Sequence, residues 1–237
     1  MTRRRWIADE VSGDRASLLG KNADHLSRVL RARIGQQFEI ATPSGVCMGE
    51  IVEIEPDRVV FSTSSLAERD TRQQTTQIHL YLAVFKFDRF EWAIEKCTEL
   101  GVTSIAPLIA RRTDAHLASA ALKRVERWRR IAHEAAQQSR RDVVPEILEA
   151  EKLEDVIPYA PGKRIVLVEG ERNHRLIDAI TQVSELSLAI GPEGGWTESE
   201  LSAFSRNKWG HVSLGSTILR SETAAIAAIS VASAFGN

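Results

Sequence analysis

Between Ile78 and Phe85 the chain reads IHLYLAVF, a run in which His79 is the one strongly polar residue. A strand with one wet face alternates apolar and polar side chains, so a run this uniformly apolar belongs to a strand covered on both faces. Similar short runs recur at Val102–Leu108, Arg164–Val168, Leu186–Ile190 and His211–Leu214. Between them the period changes to that of helices. Phe90, Ala93, Cys97 and Leu100 recur at three- and four-residue steps, with Asp88 placed to cap and Gly101 to end the helix. Leu122, Val125, Trp128, Ala132 and Ala135 predict one long helix, and further helices fall around Leu176–Val183, Glu198–Lys208 and Glu222–Phe235. Strands alternating with helices predict an α/β domain with a mainly parallel sheet covered on both sides.

The chain before this point has another rhythm. Phe38–Ile40, Val46–Ile54 and Arg58–Ser62 are rich in β-branched and aromatic residues, with turn signals at Thr42–Gly45 and Glu55–Asp57. They predict a small β-barrel, interrupted by a short helix whose apolar stripe is Leu26, Val29 and Leu30. Arg28 and Arg31 would be near neighbours on that helix. Ser62–Gln77 is polar with little to bury and reads as a linker, which divides the chain into residues 1–72 and 73–237.

Charge and cysteine usage narrow the function classes. The formal net charge is −1, so no global field draws the chain to nucleic acid, but its distribution is uneven. Residues 111–141 hold nine Arg or Lys against three Asp or Glu, whereas residues 1–72 balance at eleven each. Lys123, Arg124, Arg127, Arg129 and Arg130 lie on the long helix, either as a solvated face or as a surface that tracks phosphates. Cys47 and Cys97 have no metal or redox spacing, and the six histidines are scattered without ligand spacing, so no metal site is expected. Arg3–Arg5 run into Asp9 and Glu10 rather than into an apolar core, and no apolar run approaches the roughly 20 residues of a spanning helix. A soluble, cytoplasmic protein without a membrane partner is the expectation.

Two glycine-containing stretches stand out. Leu188–Trp196 reads LAIGPEGGW, an apolar strand entering a turn, and Thr197 and Glu200 follow in capping-box spacing. Strand, glycine loop and helix start is where open α/β sheets seat ligands, although the same residues also suit a plain tight turn. A Walker loop needs Lys and then Ser or Thr after its last glycine, and Gly195 is followed by Trp196. A dinucleotide fingerprint needs G-x-G-x-x-G, and the loop reads G-P-E-G-G. Glu193 would repel phosphates, so a neutral or cationic ligand suits the loop better. The second stretch, LGSTILRSET at Leu214–Thr223, passes through Gly215 into an alanine-rich helix suited to close packing on the sheet or on a second subunit, with Arg220 and Glu222 flanking its start.

Taken together, FKFDRFEWAIEKCTELGV (Phe85–Val102), EAAQQSRRDVVPEI (Glu134–Ile147), IGPEGGW and LGSTILRSETA resemble the RsmE family, as does HLSRVLR at His25–Arg31. These are bacterial methyltransferases of the SPOUT class that modify N3 of a uridine in 16S ribosomal RNA. The resemblance implies an α/β protein with an N-terminal PUA-like β-barrel, followed by a SPOUT domain with a C-terminal deep trefoil knot, the knot and cofactor site spanning about residues 164–237. It also implies a homodimer, S-adenosyl-L-methionine as cofactor, and 16S rRNA or the small ribosomal subunit as partner. On it, the cofactor pocket is formed by Leu167, Glu169 and Gly170, then Ile190, Gly191, Pro192, Glu193, Gly194 and Gly195, then Leu214, Gly215, Ile218 and Leu219. Arg220 is expected to face the uracil and Glu222 or a water to take its proton, with a salt bridge from Arg220 to Glu193 or Glu222 as the alternative. Arg28, Arg31, Lys86, Arg140 and Arg141 are the expected RNA contacts. Ser216 and Thr217 depart from the family, which often has Pro and Arg there. A SPOUT enzyme for another RNA position, or an RNA-binding protein without catalysis, are the competing readings. HLSRVLR argues against the first, and intact GPEGG and ILRSETA against the second.

Overall fold

The computed structural model describes residues 5–43, 45–63, 76–180 and 183–235, so residues 64–75 of the expected linker lie outside the described residues. The chain divides into two compact units, Met1–Arg72 with Ala136–Val143, and Gln73–Ala135 with Val144–Asn237.

In the first unit, β1 (Trp6–Ile7), β2 (Glu10–Ser12), β3 (Arg15–Leu19), β4 (Gln37–Thr42), β5 (Gly45–Ile54) and β6 (Arg58–Thr63) form one sheet in the order β1-β4-β5-β6-β3-β2. Its pairs are antiparallel except β1 with β4. The strands at the two ends of that order, β1 and β2, are successive parts of a single extended segment. Between them the Ala8 N–H donates to the Ala41 carbonyl and the Asp9 N–H to the Ser17 carbonyl, both at 2.9 Å. Both edges are thus held by the same stretch of chain, around a core of Trp6, Leu18, Leu26, Ile40, Ile51, Val59 and Phe61. Ala136–Val143 joins this unit through Arg5, which donates to the Arg140 carbonyl at 2.6 Å and to Asp142 at 2.5 Å, and through Arg140, whose Nη2 donates to Glu39 at 2.9 Å.

The short helix differs from expectation. After α1 (Gly20–Asp24) the chain widens into a π-helical turn, His25–Val29, closed by the Leu30 N–H on the His25 carbonyl at 2.9 Å. The extra residue in that turn shifts the phase of the apolar stripe. Leu26 is fully buried, while Val29 and Leu30 are 63% and 53% exposed. Arg31 lies beyond the helix at φ 52°, so helical spacing does not relate it to Arg28.

The second unit contains β7 (Gln77–Ala83), α2 (Phe87–Glu99), β8 (Ser104–Ile109), α3 (Ala115–Ala121), α4 (Val125–Gln138, except its last three residues, which belong to the first unit), β9 (Glu146–Ile147), β10 (Glu151–Lys152), α5 (Leu153–Val156), β11 (Lys163–Leu167), α6 (Leu176–Ala179), β12 (Glu185–Ile190), α7 (Glu198–Arg206), β13 (Gly210–Val212) and α8 (Ser221–Phe235). The sheet runs β10-β8-β7-β12-β11-β13, with β9 also on β8, and every pairing is parallel. Two cores explain the uninterrupted apolar runs. Leu80, Leu82, Ile105, Ile165, Leu188 and Ile190 join residues of α2, α4 and α8 in one core. Their neighbours Tyr81, Ala83, Ala106, Val166 and Ala189 pack with Trp196, Phe204 and Trp209 in the other. Consecutive side chains of a strand point to opposite faces, so both must be apolar when both faces are covered.

Three helix expectations need correction. The long helix expected from Leu122 is present as α4 but starts at Val125, because Lys123 and Arg124 donate back three residues to Ala120 and Ala121, a tightening that ends the preceding α3 and leaves Leu122 61% exposed. Asp88 lies in the first turn of α2 rather than at its cap, which is Lys86. The helix expected to reach Val183 stops at Ala179, where Ile180 turns extended.

Candidate active site

At their C-terminal ends β11, β12 and β13 open into three loops that enclose a cavity of about 360 Å³. This is the rim where a parallel sheet seats ligands, because each loop leaves a strand end with unpaired backbone groups. Trp196 ties two of the loops together: its indole Nε1–H donates to the Leu167 carbonyl at 3.1 Å, and its ring packs on Phe204 at 4.9 Å between centroids. Both hydrogen bonds of the capping box are present, the Thr197 N–H donating to Glu200 Oε2 at 2.8 Å and the Glu200 N–H to Thr197 Oγ1 at 3.3 Å. Glu200 Oε1 also accepts from the Arg111 N–H at 2.8 Å, which anchors the loop after β8 to the start of α7.

The glycines have separable reasons. Gly195 sits at φ 68°, a left-handed conformation other residues rarely take. A Cβ on Gly191 would lie 3.2 Å from the Trp196 ring, so this position keeps the indole close against the loop.

Of the residues expected around the cofactor, Leu167, Glu169, Gly170, Ile190, Gly191, Pro192, Gly194, Gly195, Leu214, Gly215, Ile218 and Leu219 line this one cavity, and Glu193 does not. Arg220 and Glu222 do not line it, but Leu219 and Ser221, which flank Arg220, do. Instead of pairing with Arg220, Glu193 and Glu222 both face Arg89 of α2, at 3.9 and 3.8 Å. Arg220 is exposed, with no ion pair among the described residues. Glu222 is buried at 5% exposure, and its Oε2 has no hydrogen-bond partner among the described residues.

Arg112 was not foreseen. It lines the cavity from the loop after β8, and its Nη1 donates to the Gly194 carbonyl at 2.5 Å. The signal available in the sequence was its position: an arginine pair just beyond the C-terminal end of a buried strand faces the same rim as the glycine loops.

The basic helix is largely matched by acids. Arg127 donates to both Glu91 oxygens at 2.8 Å and Arg124 to one of them at 3.0 Å, which holds the Glu91 carboxyl below the usual carboxylate range, chiefly through Arg127. Arg129 pairs with Glu126 and Glu149. Of the expected RNA contacts, Arg28, Arg31, Arg140 and Arg141 belong to the first unit and Lys86 to the second. Arg28 pairs with Asp24 at 2.9 Å, Lys86 lies 3.6 Å from Asp88, and Arg140 is engaged with Glu39. Arg141 is partly buried, and that burial lowers the pKa of its guanidinium.

The cavity fits S-adenosylmethionine in size and chemistry. Small-molecule sites typically run from about 300 to 1,000 Å³ with apolar walls and a few polar groups. Here Leu167, Ile190, Leu214, Ile218 and Leu219 supply apolar wall, Glu169 a carboxylate and Ser213, Ser216, Thr217 and Ser221 hydroxyls, with Arg112 the single cation among the described lining residues. Among the described residues no group of three or more His, Cys, Asp or Glu could hold a metal, and no helix is long and apolar enough to cross a membrane.

Residues 72–233 match the family described as an RNA methyltransferase domain, and the chain belongs to that family. Its relatives include the ribosomal RNA small subunit methyltransferase E of Bacillus subtilis, 30% identical over 228 residues that cover 92% of this chain and 89% of the relative. The solved ribosomal RNA small subunit methyltransferase E of Neisseria gonorrhoeae, bound to S-adenosyl methionine, is 29% identical with a TM-score of 0.83, covering 96% of this chain and 95% of that one. A Legionella pneumophila methyltransferase structure in complex with the bound cofactor SAM is 28% identical with a TM-score of 0.84, covering 98% and 96%.

Proposed function

We propose that this chain transfers the methyl group of S-adenosylmethionine to N3 of a uridine in the 16S RNA of the small ribosomal subunit. The observation that carries this reading is the single cavity walled by the loops after β11, β12 and β13, in which the GPEGG and LGSTIL stretches meet. The relatives' names support the RNA, and the cofactor-bound Neisseria and Legionella structures support the ligand.

When bound, the cofactor supplies an electrophilic methyl group on a positively charged sulfur. Leu167, Ile190, Leu214, Ile218 and Leu219 would hold its apolar parts, and Glu169 would face its positive charge, while Arg112, the single cation of the described lining, is engaged on the Gly194 carbonyl. Uracil N3 carries a proton at neutral pH, so the base must become an anion to react. Arg220, exposed beside the cavity-lining Leu219 and Ser221, is the group we assign to that anion, through a cation facing O2 or O4. Glu222, with its unpartnered Oε2, or a water takes the N3 proton, and Arg89 holds Glu222 in position.

The same reading takes the first unit as a PUA-like RNA-binding β-barrel, residues 1–72, and residues 73–237 as the SPOUT domain with its knot at about 164–237. The β1–β2 segment that holds both edges of the first sheet supports the former. The packing of the last helix, α8, on α2, β7 and β12 rather than at the β13 edge supports a chain end threaded back to the centre. The enzyme acts as a cytoplasmic homodimer in this reading, with Arg28, Arg31, Lys86, Arg140 and Arg141 toward RNA.

The test is direct. Purified protein, labelled S-adenosylmethionine and either small subunits or naked 16S RNA are incubated, and nucleosides are resolved by mass spectrometry. Formation of 3-methyluridine is expected. Label confined to another nucleoside, or no label with either substrate, ends the proposal.

A further inference from the structure

A second, larger hollow of about 720 Å³ lies at the other end of β11, and cations dominate its polar lining. Lys163 and Arg164 begin the strand, and Arg206 and Lys208 come from the end of α7; none of the described lining residues is acidic. Arg164 donates to the Ala160 carbonyl at 2.6 Å and to the Asn207 carbonyl at 3.2 Å, both neutral acceptors, and has no ion pair among the described residues. Arg206 and Lys208 are exposed, and neither has an ion pair among the described residues.

The backbone at Lys208 adds a second observation. The Lys208 N–H donates to the Ser205 carbonyl and the Trp209 N–H to the Phe204 carbonyl, both at 3.0 Å, which places Lys208 at φ 61° just past the end of α7. The same pair of bonds ends α2, where the left-handed position holds Gly101, the residue that suits it. At the end of α4 the position holds Arg140, and there the guanidinium is engaged with Glu39. A long cation in a glycine position therefore has a side-chain use at one of these helix ends, and at Lys208 no acceptor for it is found among the described residues.

We infer that this hollow is a binding site for RNA phosphates, with Arg206 and Lys208 as its principal contacts, a reading that rests on the proposed function and extends the RNA surface beyond the cofactor rim. Lys163 and Leu167 stand at opposite ends of β11, so the hollow and the cofactor cavity are separated by about 13 Å of strand. A phosphodiester chain supplies anionic oxygens at that scale, and planar guanidinium with flexible ammonium groups suits them. A helix-end role for the same two cations is the rival explanation, since positive charge favours a helix C-terminus.

The experiment measures binding of a 16S RNA fragment across a salt series for the unaltered protein, Lys208→Gly, Arg206→Gln and the double variant, alongside cofactor titration, melting temperature and methyl transfer. Two lost phosphate contacts should make the logarithmic salt slope shallower by about 1.4. Cofactor affinity should stay unchanged, and Lys208→Gly should melt no lower than the unaltered protein. An unchanged slope overturns the site, including the case where melting falls and the cations serve only the helix end. Methyl transfer with an unchanged slope removes the hollow alone; a slope difference without methyl transfer removes the enzymatic reading alone. Failure of the unaltered protein to bind the RNA removes both.

Discussion

Nε of Arg89 lies 3.8 Å from Oε1 of Glu222, and Nη1 of the same side chain lies 3.9 Å from Oε1 of Glu193. One cation of α2 thus stands between the glycine loop and the first turn of α8. Glu222 is almost wholly buried with one oxygen unpartnered among the described residues, and Arg89 is its ion-pair partner there. Arg89→Ala should lower unfolding free energy by about 2 kcal/mol. Adding Glu222→Gln should recover most of that loss, because a neutral amide no longer needs a cation. Urea midpoints of the single and double variants decide it; a double variant no more stable than Arg89→Ala would show that Arg89 does not balance Glu222.

Removing Arg220 should separate binding from chemistry. It does not line the cavity, so Arg220→Ala should bind cofactor normally by calorimetric titration. Loss of one group aimed at a developing negative charge should cut single-turnover methyl transfer by roughly 10²–10³-fold. Near-normal transfer would leave Arg220 without a catalytic role.

Gly191 and Gly195 should respond differently to alanine. At Gly191 the added methyl crowds the Trp196 ring that bonds Leu167, and cofactor affinity should fall by about tenfold, or roughly 1.4 kcal/mol. At Gly195 nothing lies within 4 Å of the new methyl, and the cost is that of a left-handed backbone, about 1 kcal/mol of stability. Titration and melting on the two variants check the contrast.

Glu91 makes stability depend on acid pH. Arg127, with Arg124, depresses its carboxyl pKa in the folded protein relative to the unfolded chain. A depressed folded value means the contribution is present above the ordinary carboxylate range and is lost as pH falls through the lowered value. The stability difference between the unaltered protein and Glu91→Gln should therefore be flat near neutrality, about 1 kcal/mol, and shrink below about pH 4. Denaturant melts from pH 7 downward measure it; a difference that grows on acidification contradicts the pairing.

Much of the second unit was legible along the chain because period reports burial directly. Ile78–Phe85 and Leu186–Ile190 are apolar on both sides of the pleat except at His79 and Ser187, since helices cover both sides, and Thr197 with Glu200 announces a helix start through purely local bonds. The loops at Ile190–Gly195 and Leu214–Leu219 were recognisable from the glycines that such turns require. The opening strands β1 to β3 were not, being two, three and five residues long, too short to show a period. Val29 and Leu30 misled because a π-helical turn changes the phase that an apolar stripe assumes.

Charge was the least readable property, since a cation's use depends on which acid the fold sets opposite it. In the sequence Arg124 and Arg127 suit either a solvated face or a phosphate-tracking surface, whereas in the fold both donate to Glu91, more than thirty residues earlier. Arg206 and Lys208 carry no local signal in the sequence, yet the fold leaves them exposed in a hollow with no acidic residue among its described lining. What the order of residues determined alone was set by neighbours within a few positions: strand or helix, cap, and glycine turn. The meeting of Arg112 with Gly194, of Arg89 with Glu193 and Glu222, and of three distant loops in one cavity was decided by tertiary structure alone. The reason is physical: parallel strands far apart in the chain become neighbours only once the sheet order is formed, and their carboxyl ends then bring separate loops to one rim.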